Sequence, residues 1–176
     1  MDSAFHQTNR DKLYASLEDG TLVLIFSGVE VRKTQDENYP FYADRNFVYL
    51  TGIERERFIL MAEKDGGQVE ETMFILPPDA HAERWTGRRM KAEEVFQRSG
   101  IETCRYVEEF PAALHRKMNT GHFHTVAMDF YKCEQTDRDT EPFRMARTIR
   151  RDYPAVKLVD ISRRMKQMRA IKTPGE

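Results

Sequence analysis

The sequence predicts one α/β domain: a layered, mixed β-sheet flanked by helices. Apolar runs with strand character alternate with segments of helical spacing along the whole chain. Two strand-like runs flank Asp65-Gly66-Gly67, a hairpin signal that makes the sheet mixed rather than wholly parallel. Length supports a single unit: 176 residues correspond to about one domain, and 40% hydrophobic residues are enough for a core.

The elements read in order. Thr8 is positioned to cap a helix through Leu13, Tyr14 and Leu17, stopped by Asp19-Gly20. Thr21–Ser27 is almost continuously apolar, as expected of a strand buried on both faces. Residues 28–46 are polar and irregular around Pro40, and Asn46–Leu50 alternates like a strand ending at Gly52. Phe58–Ala62 and Thr72–Leu76 are the hairpin strands, the second terminated by Pro77-Pro78. Residues 79–90 read as a second polar loop. Lys91–Arg98 is helical and closed by Gly100, and Glu108–Met118 is helical with Leu114 and Met118 four apart. Phe123–Phe130 is a strand, and residues 131–140 are a charged loop. Thr140–Asp152 is a helix with Pro142 in its first turn, where a missing N–H costs little. Val156–Asp160 is a short strand, and Ile161, Met165 and Met168 form the apolar stripe of a last helix.

Composition excludes several classes. Charged residues make up 32%, but 28 basic and 29 acidic side chains leave a net charge of −1, unlike a dedicated nucleic-acid binder or an acidic disordered tail. No apolar stretch approaches the length of a membrane span, and the first residues lack the basic and apolar regions of a signal peptide. Two cysteines, Cys104 and Cys133, are too few for a disulfide framework. A soluble, cytoplasmic setting is expected, with no membrane partner.

Searches for resident chemistry return little. His122 and His124 share a strand face, but no third or fourth metal ligand accompanies them. Cys104 and Cys133 have no assigned histidine partner, and neither a Gly-x-Ser-x-Gly elbow nor a glycine-rich phosphate loop occurs. Basic residues from Arg144 to Lys172 include Arg147, Arg150, Arg151, Arg163, Arg164, Lys166 and Arg169; those of the last helix oppose its methionine stripe, as a solvated face does. No nucleic-acid partner is expected. Two polar loops rich in aromatics remain. Trp85, the single tryptophan, lies among Glu83, Arg84, Arg88 and Arg89. Either Trp85, Tyr39 and Tyr42 fold back over the sheet edge, or they face a partner.

These loops carry a resemblance. Arg32, Asp36, Tyr39, Phe41, Asp44, Asn46-Phe47, Tyr49-Leu50 and Thr51-Gly52 resemble the signature of the N-terminal domain of aminopeptidase P, the Xaa-Pro aminopeptidases. Trp85-Thr86-Gly87-Arg88-Arg89 is similar to that family's Trp-x-Gly-Arg-Arg segment. Met168-Arg169, Ile171 to Pro174, and Glu176 resemble the junction where a catalytic domain begins. The resemblance implies the creatinase/prolidase N-terminal domain fold, with ribonuclease-H-like layering, over residues 1–171, and the start of a junction at 172–176. It implies a parent hydrolase that removes the residue preceding proline, using two manganese ions on a C-terminal domain. This chain is expected to stop short of that domain and to be inactive alone, with no catalytic or metal-ligating residue of its own. Its partners would be that catalytic domain, a peptide beginning Xaa-Pro, and further copies in a dimer or tetramer. Trp85, Asp36, Arg32, Tyr39 and Asp44 are the implied substrate-side residues. Asp36 would meet an arginine of the catalytic domain, and Trp85 would close a neighbouring subunit's pocket. Arg32, Tyr39 and Asp44 would shape the loop before touching substrate. An arginine among Arg144, Arg147, Arg150 and Arg151 would also approach the site. A prolidase N-domain, or an inactive peptide- or protein-binding module of the same fold, are the alternatives.

Overall fold

The computed structural model describes residues 2–172. The junction motif at Thr173, Pro174 and Glu176 therefore lies outside the described residues. Helices α1 (Ser3–Tyr14), α2 (Arg45–Thr51), α3 (Ala80–Thr86), α4 (Ala92–Ser99), α5 (Phe110–Met118), α6 (Glu141–Asp152) and α7 (Ser162–Ala170) surround six strands. The strands are β1 (Thr21–Phe26), β2 (Ile59–Asp65), β3 (Gln68–Ile75), β4 (Thr103–Tyr106), β5 (Thr125–Met128) and β6 (Lys157–Asp160), ordered β4-β3-β2-β1-β5-β6. β2 runs against β1 and β3, while β1/β5, β5/β6 and β3/β4 are parallel. Every strand but β2 therefore points the same way. The layered mixed sheet is the architecture expected from the sequence.

β1 shows why. All six of its residues are buried, and alternate side chains enter opposite cores. Val23 and Ile25 join Leu13, Phe47, Leu50, Val95 and Met165 from α1, α2, α4 and α7. Leu22, Leu24 and Phe26 join Phe110, Leu114, Ala146 and Ile149 from α5 and α6. Phe74 and Phe110 meet edge to face at 5.2 Å. The β2–β3 turn is Gly66-Gly67 with φ of 57° and 75°, a pair of left-handed positions that suits glycine.

Four expectations change. Asn46–Leu50 is not a strand but lies within α2. Asp44 accepts hydrogen bonds from Asn46 N and Phe47 N, Gly52 closes the helix at φ 70°, and Phe47, Leu50 and Thr51 bury one helical face. α1 begins five residues before Thr8, because Asp2 accepts from Phe5 N; the Thr8 hydroxyl instead donates to Ala4 O within the helix. Residues 79–90 are not wholly loop, since α3 forms there on an Asp79 cap. β4 is an additional edge strand that gives no apolar alternation, being half exposed along its length.

His6 packs beneath Gly52 and meets Tyr49 O through Nδ1 at 3.0 Å. Burial, ahead of the opposing carbonyl bond and the nearby Arg10, holds its pKa below the ordinary 6.5. The unfolded chain thus takes up this proton first, so stability present above pH 6.5 falls as pH drops below it. Thermal melts at pH 7.5 and 5.5 should show a smaller acid loss for His6→Gln than for the native chain. An unchanged acid loss would exclude His6 as a source.

Candidate functional site

Strand direction gathers the singled-out residues. Because β1 and β3 are parallel, the segment after β1 (27–44) and the segment after β3 (76–91) emerge at the same end of the sheet. The first holds Arg32, Asp36, Tyr39 and Asp44; the second holds Trp85. The two segments border a hollow of about 210 Å³, with Glu30 and Phe41 on one side and Thr86, Gly87 and Arg89 on the other.

The first segment makes a narrow excursion. An isolated bridge joins Arg32 to Asn38, Tyr39 N donates to Val31 O at 2.9 Å, and Lys33 N donates to Glu37 O at 2.9 Å. Asp36 sits at the exposed tip, where its carboxylate accepts from Thr34 Oγ1 at 3.0 Å. Asn38 Nδ2 donates to Glu30, fastening the base. Arg32 and Tyr39 are exposed. Asp44 ends the excursion by capping α2 and donating its backbone N–H to Ser27 O at 2.8 Å. Asp44 is solvent-exposed, yet partial loss of hydration, opposed by its backbone bonds and aided by the nearby Asp129 charge, raises its carboxyl pKa from the ordinary value.

The second segment is an arm. No residue of α3 is buried, yet both ends are tied. Asp79 accepts from His81 N and Ala82 N at 3.0 Å each, and these backbone bonds lower its pKa. Beyond Gly87, Arg88 forks onto both oxygens of Glu94, at 2.8 and 2.6 Å, which draws that carboxyl pKa down to about 2. Arg89 donates to Pro77 O at 2.7 Å. The two arginines of the motif are therefore anchors, while Trp85 is 82% exposed. Tyr39 and Tyr42 are also open, at 53% and 76%. Of the two readings open for these aromatics, folding back over the sheet edge does not occur.

The α6 arginines separate clearly. Arg147 pairs with Asp139 and Arg151 with Asp152. Arg144 lines a separate crevice of about 550 Å³ beside the segment after β1, with Glu141 at 3.6 Å. Sequence spacing could not rank them, because the choice depends on where α6 starts relative to the strand ends.

Burial pushes the half-buried Cys104 thiol up to about 11, with Glu93 adding to the effect, so it is not poised as a nucleophile at neutral pH. Among the described residues, no three His, Cys, Asp or Glu side chains come together in a way that fits a metal ion. The described side chains therefore do not fit a two-metal centre. No described helix is long and apolar enough to cross a membrane.

The domain thus presents two aromatic-bearing segments at one end of its sheet. Comparison with known proteins identifies the class. Residues 6–126 match the family described as aminopeptidase P, N-terminal domain, and the chain belongs to it. It is 31% identical over 108 residues to the Xaa-Pro aminopeptidase of Haemophilus influenzae, covering 61% of this chain and 25% of that protein. It is 27% identical over 114 residues to the Xaa-Pro aminopeptidase of Escherichia coli, covering 64% and 26%. A solved structure provisionally named an aminopeptidase P, from Bacillus anthracis, superposes with a TM-score of 0.96 at 31% identity, covering 100% of this chain and 42% of that one. The fold is shared with aminopeptidase P from E. coli, solved with the inhibitor Pro-Leu, at a TM-score of 0.82 and 22% identity, covering 100% and 40%. The chain thus spans about a quarter of the length of these curated relatives.

Proposed function

We propose that this chain is the non-catalytic N-terminal domain of a cytoplasmic Xaa-Pro aminopeptidase, shaping a substrate pocket whose chemistry resides on a C-terminal domain. The parent would cleave the bond between a first residue and proline. That bond has no N–H, so peptidases that grip the amide hydrogen do not suit it. Two manganese ions on the C-terminal domain would supply the hydrolytic centre. The observation that carries the reading is Trp85, exposed at 82% on a helix with no buried residue yet held at both ends. An exposed indole on an arm tied at both ends suits a surface completed by another domain or another copy in a dimer or tetramer. Asp36, at the tip of its excursion, suits a charge-assisted bond to an arginine of the catalytic domain, and Arg144, which borders the segment after β1, suits an approach to the same site. Arg32, Tyr39 and Asp44 hold the excursion in shape. The relatives named Xaa-Pro aminopeptidase and the Trp85 segment favour this parent over a prolidase.

The test is a manganese-dependent assay on a peptide beginning Xaa-Pro, run on 1–176 and on the longer polypeptide that continues into a C-terminal domain. Activity is expected in the longer protein alone. Trp85→Ala there should lower kcat/KM about tenfold, equivalent to about 1.4 kcal/mol. Hydrolysis by 1–176 that survives chelation and repurification, or an unaffected Trp85→Ala, would overturn the reading.

A further inference from the structure

The arm that carries Trp85 leaves β3 at Pro77 and returns at Arg89. Arg89 bridges its two stems: Nη1 donates to Pro77 O at 2.7 Å, and Nη2 stands 3.8 Å from Asp79 Oδ2. This bridge joins the arm to itself. It closes the neck without fixing the arm against a neighbouring element.

Nothing in α3 supplies that fixing. None of its residues is buried. Among the described residues its side-chain hydrogen bonds stay within the arm, Glu83 Oε1 accepting from Asp79 N and Thr86 Oγ1 donating to Ala82 O. The helix ends at Gly87, whose φ of 81° and ψ of 168° lie in a region essentially reserved for glycine. A Cβ added there would meet nothing within 4 Å, and the hollow of about 210 Å³ lies alongside. Packing therefore does not hold this joint.

The remaining attachment is Arg88, one residue past the joint. Its guanidinium forks onto both oxygens of Glu94 in α4, at 2.8 and 2.6 Å. Two parallel charge-assisted bonds fix direction as well as distance. Glu94 is itself held, because the oxygen that takes Arg88 Nη1 also accepts from Lys91 N at 2.9 Å in the first turn of α4. α4 is seated in turn through Val95 and Ser99, both fully buried. A continuous line of fixed groups thus runs from the core through Glu94 and Arg88 to the arm.

We infer that Glu94, a residue outside the tryptophan motif, is the positioning residue for Trp85: it moors the arm to α4 and so sets where the indole points. The mooring stands independently of the pocket role proposed for Trp85. Its effect on turnover rests on that role.

Trp85 is the single tryptophan, so its fluorescence reports the arm alone, and time-resolved anisotropy of 1–176 is the test. Glu94→Gln removes the charged fork but keeps an acceptor for Lys91 N, since glutamine serves the same capping position. It should raise the amplitude of nanosecond depolarisation about twofold, with little change in the thermal melt. Arg88→Gln leaves the α4 cap untouched and should do the same, and the double change should add nothing further. Unchanged depolarisation in both single variants, or additive effects, would overturn the inference.

Kinetics of the longer polypeptide give the second readout. A loose arm points correctly only part of the time, which raises KM and spares kcat. Glu94→Gln should therefore raise KM for a peptide beginning Xaa-Pro about fivefold. A merely destabilised domain would instead lower kcat through a smaller active fraction. In a Trp85→Ala background Glu94→Gln should change KM no further. A loosened indole with KM unchanged, where Trp85→Ala does lower kcat/KM, would overturn the positioning role. If Trp85→Ala changes nothing, the pocket role falls and the anisotropy alone decides the mooring.

Discussion

Arg10→Ala should destabilise the domain by about 3–5 kcal/mol, because it strands a carboxylate inside the fold. Arg10 is 1% exposed. Its Nε and Nη2 donate to the two oxygens of Glu71 at 2.7 and 3.2 Å, and its Nη1 donates to Leu50 O at 2.8 Å. Tyr14 adds a hydroxyl bond to Glu71 Oε1 at 2.7 Å. One guanidinium thereby ties α1 to β3 and to the end of α2. Burial, with the adjacent Glu71 charge, raises the Tyr14 pKa well above the usual phenol value, so this hydroxyl remains a donor across the physiological range. Urea unfolding provides the measurement. The double change Arg10→Met with Glu71→Leu should recover most of the loss, since two apolar residues leave no unpaired charge. A loss below about 1 kcal/mol for Arg10→Ala would show that water screens the pair as it does at a surface.

Gly52→Ala should cost about 2–5 kcal/mol, from two separable sources. At φ +70° any side chain pays the left-handed penalty of about 1–2 kcal/mol. The added methyl would also stand 2.5 Å from His6 Nε2 and 2.8 Å from His6 Cδ2, and overpacking of this kind costs about 1–3 kcal/mol. His6 is buried and bonded to Tyr49 O, so it has little room to yield. In a double-mutant cycle, His6→Ala should remove the clash and leave the backbone penalty, giving a combined loss smaller than the sum of the single ones. Strict additivity would show that the imidazole moves aside.

These two positions also show which parts of the fold can be read from sequence. β1 is legible because both faces are buried and its apolar run is unbroken. The hairpin is legible because Gly66-Gly67 can supply the two left-handed positions that a two-residue turn between strands requires. α2 misleads because Asn46-Phe-Val-Tyr-Leu alternates polar and apolar residues with strand-favouring side chains. The deciding signals lie at its ends, in Asp44 as cap and Gly52 as stop. β4 stays hidden because an edge strand of Thr, Cys, Arg and Tyr needs no apolar face. For the site, the motif residues are visible one by one, but their gathering at one end depends on strand direction. The Asn46–Asp129 bond joins residues 83 apart in the chain, and Arg10–Glu71 joins residues 61 apart; local pattern holds no trace of either.

The arm formed by α3 has a consequence for how such a domain diversifies. Its helix is fixed by Asp79, Arg88 and Arg89 at its margins and contributes nothing to either core. Side chains at 80–86 are thus released from the volume and polarity constraints that govern the rest of the chain. Descendants of this sequence can exchange them without risking foldability, and selection acting there reads what the arm meets outside. Under the proposed pocket role, recognition and foldability are written in different residues, so specificity can drift while the scaffold stands still.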